Sequence, residues 1–149
     1  MGLISSMRVS ASALMAQRLR MDVVANNVAN MNSTRAADGS DGPYRRQSVV
    51  FKAANAGQSF GDVLGRATGG SAPAGVEVSS IHLDTAAPRK VHDPTHPDAD
   101  ADGYVLMPNI DVVTEMTDLV GANRAYEASV TVLNATKALA QAALQIGRR

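Results

Sequence analysis

The residues best suited to chemistry lie in HDPTHPDADADGYVLMPN, residues 92–109. Asp98, Asp100 and Asp102 alternate and Gly103 follows, which is the opening of the D-x-D-x-D-G calcium-loop pattern. Carboxylates at every second position of a turning loop can converge on a hard cation, and the glycine permits the sharp turn. In that alignment the place of the bidentate Glu falls on Asn109, which removes a charge and a coordinating oxygen. A calcium loop also needs an entering helix, and Pro94 and Pro97 forbid one just upstream. The stretch therefore reads as a stiffened turn that feeds an extended run, GYVLM, and then a helix opening near Pro108 and Asn109. A calcium-modulated binding module built on the 98–103 loop is the lesser alternative.

Other chemistries find less support. His92 and His96 have the i, i+4 spacing of a helical zinc pair, but Pro94 stands between them and breaks the helix that would align them. A hydrolase using either histidine would need a pocket that the sequence does not supply. There is no G-x-S-x-G elbow, and GDVLGRATGG lacks the G-K-[ST] ending of a phosphate loop. The expectation is a protein that is not an enzyme, with no catalytic, metal or cofactor site and no small-molecule substrate.

The elements around this stretch carry more information. Residues 3 to about 32 and about 109 to 146 are free of proline and read as two long helices. In the first, Met7, Leu14, Met21 and Val28 recur every seven residues, with Ser10, Gln17, Val24 and Met31 at the intervening positions. In the second, the seam reads Val112, Met116, Leu119, Asn123, Tyr126, Val130, Leu133, Lys137, Ala140 and Leu144, and Asn109 or Asp111 can cap it. A helix from Leu3 to Met31 is roughly 43 Å long, and one from Asn109 to Ile146 roughly 55 Å. Gly121 weakens the second by about 1 kcal/mol relative to Ala.

Between them, RQSVVFKA (46–53), GVEVSSIHL (75–83), RKVH (89–92) and GYVLM (103–107) lean towards β-structure. The Gly, Ala and Ser-rich segment at about 54–75 reads as a mobile loop. The expected architecture is mostly α with a β-rich insertion. Residues 1–34 and 108–149 form one coiled-coil-like axial helical domain, and residues 35–107 form the insertion.

Composition limits the partners. Hydrophobic residues are 45% of the chain but aromatic residues only 3%, so the apolar content is Ala, Val, Leu and Met, which suits close helix packing. Lys and Arg total 14 and so do Asp and Glu, which leaves no net basic footprint for nucleic acid. No cysteine is present, which excludes disulfides and thiolate metal sites. No run approaches the roughly 18 apolar residues of a membrane span, and no cleavable secretory signal is evident. Off the seams, Leu19, Val23 and Ala25 on the first helix and Val113, Val120, Ala128, Val132, Leu139 and Ala143 on the second remain apolar. Helices apolar on several faces need partners on several faces.

ASALMAQRLRMDVVANNVANMNST (11–34) resembles the N-terminal segment of flagellar axial proteins, the rod and hook family. PYRRQSVVF and the run from DPTHPDADADGYVLMPN to QIGR narrow the resemblance to the proximal rod members, with another rod or hook protein as the alternative. The resemblance implies a structural subunit of the basal-body rod, located where the rod crosses the periplasm. It implies self-assembly through the terminal helices, with copies of itself and other rod proteins as partners, into a tube that transmits torque and encloses the export channel. It further implies delivery by the flagellar type III export apparatus without a cleaved signal. Seam periodicity and the asparagine cluster make Leu14, Met21, Val24, Asn27, Val28, Asn30, Met116, Leu119, Tyr126, Val130, Leu133 and Ala140 the candidate assembly interface. The Asn amides are expected either to fray the helix end or to bond neighbouring chains and fix their register.

Overall fold

A computed structural model of the chain describes residues 3–36, 42–54 and 75–146. In order, the elements are α1 (Leu3–Ala29), β1 (Gln47–Ala53), β2 (Val76–Leu83), β3 (Arg89–His92), β4 (Tyr104–Met107) and α2 (Val112–Ile146). Two long terminal helices thus flank a β-rich middle in sequence, as expected, and among the described residues that middle forms two small antiparallel sheets. The loop anticipated at about 54–75 falls almost wholly on 55–74, outside the described residues.

α1 ends where the asparagines begin to compete with the helix. The Asn30 amide donates to the Asn26 carbonyl at 2.9 Å, and the Ser33 N–H donates to the Asn30 carbonyl at 3.1 Å, which closes the last turn. α2 is opened by Asp111 rather than Asn109. Its carboxylate accepts the Val113 N–H (3.2 Å) and the Thr114 hydroxyl (2.8 Å), while its carbonyl accepts the Glu115 N–H (3.0 Å). These two bonds, Thr114 first, hold the Asp111 carboxyl below the usual aspartate value.

β1 and β2 pair with each other, and β3 pairs antiparallel with β4. The first pair is bounded by the Ala54 N–H on the Gly75 carbonyl at one end and the Asp84 N–H on the Arg46 carbonyl at the other, both 2.8 Å. In the second pair Arg89 opposes Met107 and His92 opposes Tyr104, whose rings meet edge to face at 5.1 Å.

The chain divides into two compact units, and both helices and the β1–β2 pair contribute residues to each. One unit comprises Met1–Leu19, Val50–Ser80 and Ala122–Arg149. Among the described residues its buried side chains are small: Ser10, Ala16, Ala122 and Thr136. Ser12 joins helix to strand there. Its hydroxyl donates to the Val9 carbonyl (2.7 Å) and accepts the Val76 N–H (3.0 Å). The approach is close enough that a Cβ at Gly75 would collide with that hydroxyl. The other unit comprises Arg20–Val49 and Ile81–Gly121 and buries Val23, Val24, Asn27, Val105, Pro108, Ile110 and Glu115.

The helical seams differ in phase from the sequence reading. On α2 the buried and half-buried positions include Val112, Glu115, Leu119, Ala122, Tyr126, Ser129, Leu133, Thr136 and Ala140. Val112, Leu119, Tyr126, Leu133 and Ala140 were anticipated. In place of Met116, Asn123 and Lys137, which are exposed, the helix turns Glu115, Ala122 and Thr136 inward. The polar members of this set are satisfied where they lie. Ser129 and Thr136 return their hydroxyls to the carbonyls of Ala125 (2.8 Å) and Val132 (2.9 Å), so their burial leaves no donor unpaired. On α1, Val23 is buried although the heptad count left it off the seam.

Candidate functional site

Two features merit the name of a site: a buried polar cluster and the apolar faces left outward. The cluster is built by α1, the segment leading into β1, and the first turns of α2. Asn27 is 0% exposed. Its Nδ2 donates to the Gln47 carbonyl (2.8 Å) and to Glu115 Oε2 (2.9 Å), and its Oδ1 accepts the Gln47 N–H (2.9 Å) and the Tyr44 hydroxyl (3.1 Å). An asparagine amide has two donors and two acceptor sites, and all four are used. Toward Gln47 the amide takes the place of a neighbouring strand, meeting both the N–H and the C=O of one residue.

Glu115, also 0% exposed, takes the other side. Arg46 Nε donates to its Oε1 at 2.5 Å, and Arg46 Nη2 lies 3.4 Å from Asp118. A buried carboxylate held by one arginine and one amide is stable only while both remain. Burial, and secondarily the Glu115 charge, push the Tyr44 hydroxyl above its ordinary value. The cluster thus ties residues 88 positions apart in sequence.

The aspartate stretch is a folded connector. Asp93 accepts the N–H (3.1 Å) and hydroxyl (2.7 Å) of Thr95. Asp100 accepts the N–H groups of Asp102 (3.0 Å) and Tyr104 (2.8 Å). Asp98 accepts the Thr34 hydroxyl at 2.7 Å and pairs with Arg35 through Nε at 3.0 Å and through Nη2. Arg35 first, then Thr34, holds the Asp98 carboxyl below its ordinary value. Gly103 has φ of +77°, and a Cβ there would press on Pro94 and His92. Asp98 and Asp100, two of the three carboxylates of the calcium pattern, are thus aimed at protein donors, which is the geometry of a turn. His96 accepts the Asp98 N–H at Nδ1 (3.1 Å), and His92 packs on Tyr104, so the two histidines are engaged separately.

Of the twelve candidate interface residues, Val24 and Asn27 lie in the interior. The Asn27 amide makes its four bonds within the chain. Leu14, Met21, Val28, Asn30, Leu119, Tyr126, Val130, Leu133 and Ala140 are half-buried, and Met116 is 58% exposed. The larger outward apolar side chains mix Val113, Val120, Val132 and Leu139, expected off the seams, with Met116, expected on one. In one unit, Val113, Met116 and Val120 follow i, i+3, i+7 along α2. In the other, Val132, Leu139 and Ile146 recur every seven residues, and Ile4 and Met15 stand out from α1. Among the described residues no helix is long and apolar enough to cross a membrane.

Residues 7–36 match the family model described as flagella basal body rod protein, and residues 101–146 match the flagellar basal body rod FlgEFG protein C-terminal model. The relatives extend the likeness to the whole chain. The flagellar basal-body rod protein FlgC of Bacillus subtilis (strain 168) is 50% identical, with 96% of this chain and 97% of that protein covered. The chain belongs to the FlgC family of flagellar basal-body rod proteins. FlgC of Borreliella burgdorferi is 43% identical, with 98% of each chain covered. FlgC of Salmonella typhimurium (strain LT2) is 41% identical over 99% of this chain and all of that protein. The FlgC family places the chain as a structural component of the rod, and the N-terminal model spans Asn27 and the asparagine turn that ends α1.

Proposed function

We propose that the chain is a rod subunit that assembles with copies of itself and with other rod proteins through the outward apolar faces of α1 and α2. The carrying observation is the phase of α2: Glu115, Ala122 and Thr136 point inward, while Val113, Met116, Val120, Val132 and Leu139 point outward. Residues 1–34 and 108–149 then act as one axial helical domain, residues 35–107 as its β-rich insertion, and the assembled tube transmits torque around an export channel. The chain reaches the rod through the flagellar type III export apparatus and performs no catalysis.

Leu139→Asp and Met116→Asp test this. Each places a carboxylate on an outward face without touching the chain's own interior, since Leu139 is 65% exposed. Both variants should keep the helicity of the free chain yet fail to enter basal bodies, and cells relying on them should not swim. Normal swimming with both variants would overturn the assignment of these faces.

A further inference from the structure

Among the described residues, the two most exposed methionines stand on the faces assigned to assembly. Met15 is 75% exposed on α1 and Met116 is 58% exposed on α2, whereas Met7, Met21, Met31 and Met107 are half-buried. A thioether is soft and flexible, and adapts well to a contact surface. It is also the oxidisable group that leucine or valine at the same place would not be.

We infer that Met15 and Met116 are peroxide-modification sites through which oxidation of the free chain blocks its incorporation, an inference that rests on the assembly reading above. The step is balanced with hydrogen peroxide as oxidant. The sulfur lone pair attacks one peroxide oxygen, the O–O bond breaks as the S–O bond forms, and the displaced hydroxide acquires the remaining proton and leaves as water. Sulfur is oxidised by two electrons and peroxide is reduced. The product carries a strongly polar S=O on a surface that must become dry. An acceptor buried without a donor weakens an interface by roughly tenfold or more. In the rod the same sulfurs are covered, so oxidation acts before incorporation and is reversible by sulfoxide reduction.

The experiment is a brief hydrogen peroxide pulse during flagellar assembly, followed by peptide mass spectrometry of the free chain and of purified basal bodies. In the free pool, Met15 and Met116 should oxidise faster than Met21 and Met107. The sulfoxide fraction at Met15 and Met116 should be at least about tenfold lower in basal bodies than in the free pool. Assembly of a Met15→Leu/Met116→Leu chain after the pulse, taken relative to the same chain untreated, should not fall, whereas that of the parent should. Equal sulfoxide fractions in the two pools, or a double variant as sensitive as the parent, would overturn the inference. If Leu139→Asp assembles normally, the assembly faces themselves are wrong. If Leu139→Asp is excluded while oxidised chain enters the rod, only the oxidation inference fails.

Discussion

Asn27→Asp changes one nitrogen to oxygen and almost nothing in shape, so its effect isolates the hydrogen bonds of the buried cluster. In the parent, Nδ2 faces the Gln47 carbonyl at 2.8 Å and Glu115 Oε2 at 2.9 Å. In the variant, an acceptor faces two acceptors. Two buried acceptors lose their donor, at about 1–3 kcal/mol each. A second carboxylate now lies beside Glu115, and at an effective dielectric of about 20 two charges 4 Å apart repel by about 4 kcal/mol. The expected loss at pH 7 is therefore about 6–10 kcal/mol, comparable with the whole stability of a typical domain. The new carboxyl can relieve this by keeping its proton, so its folded value lies above the unfolded one of about 3.9. With a raised folded value, stability is greatest below the unfolded value and falls as pH rises through the folded one. The gap between variant and parent should thus narrow from pH 7 to pH 5. Urea unfolding of the full chain, followed by far-ultraviolet circular dichroism at both pH values, measures it. Asn30→Asp is the control, since the exposed Asn30 amide makes its bond to the Asn26 carbonyl at the surface. An Asn27→Asp chain within 1 kcal/mol of the parent at pH 7, or indistinguishable from Asn30→Asp, would refute the reasoning.

Gly75→Ala should destabilise by about 1–3 kcal/mol, because its methyl meets the Ser12 hydroxyl. Adding Ser12→Gly should recover part of that loss, and a double-mutant cycle in urea reads the coupling. Gly121→Ala should stabilise the free chain by about 1 kcal/mol, since open space surrounds the new methyl on an exposed helix position; a lowered thermal midpoint would count against this. Asp98 should titrate below an ordinary aspartate in a carbon-detected NMR experiment, and Arg35→Met should move it upward. Because its folded value is lowered, its stabilising contribution is complete above about pH 4 and is lost as pH falls through the folded value. An ordinary midpoint in the parent would show that the Arg35 contact is not made in solution.

The elements themselves were legible. Expected runs at 46–53, 75–83, 89–92 and 103–107 became strands Gln47–Ala53, Val76–Leu83, Arg89–His92 and Tyr104–Met107. β-branched and aromatic residues bounded by glycine and proline carry that signal locally. The aspartate turn was legible for the same reason, since Pro94, Pro97 and Gly103 dictate backbone within a few residues of themselves. The cluster around Asn27 was not, because its meaning lies in partners remote in the chain. Tyr44, Gln47, Arg46 and Glu115 separately look like solvated polar residues, and only the fold brings them within 2.5–3.1 Å. The one local hint was an asparagine in a helix flanked by Val24 and Val28, a place where an unpaired amide would be costly.

The phase of α2 shows why that distinction matters for assembly. From Val112, a heptad can step next to Glu115 or to Met116, and hydrophobicity alone selects Met116. The chain takes Glu115 because Asn27 and Arg46 satisfy it, and every later step follows, with Ala122 and Thr136 inward. Small and polar side chains bury little apolar area, so the free chain gains little from this packing. Val113, Met116, Val120, Val132, Leu139 and Ile146 are left outward. Fully burying such side chains is worth about 1.5–3 kcal/mol each, or on the order of 10 kcal/mol gross for the set, before the cost of association. On the proposed assembly reading, one ion pair at the start of α2 sets which side chains turn inward and which are left outward for neighbours. Replacing Glu115 and Arg46 together by leucine and methionine should keep the phase, because a well-packed apolar pair can substitute for a buried ion pair, at the cost of about 1–3 kcal/mol for the Asn27 N–H left without Glu115. Glu115→Lys, facing Arg46 without a carboxylate, should expel the first turns of α2 from the interior and cost assembly even though no outward residue has changed.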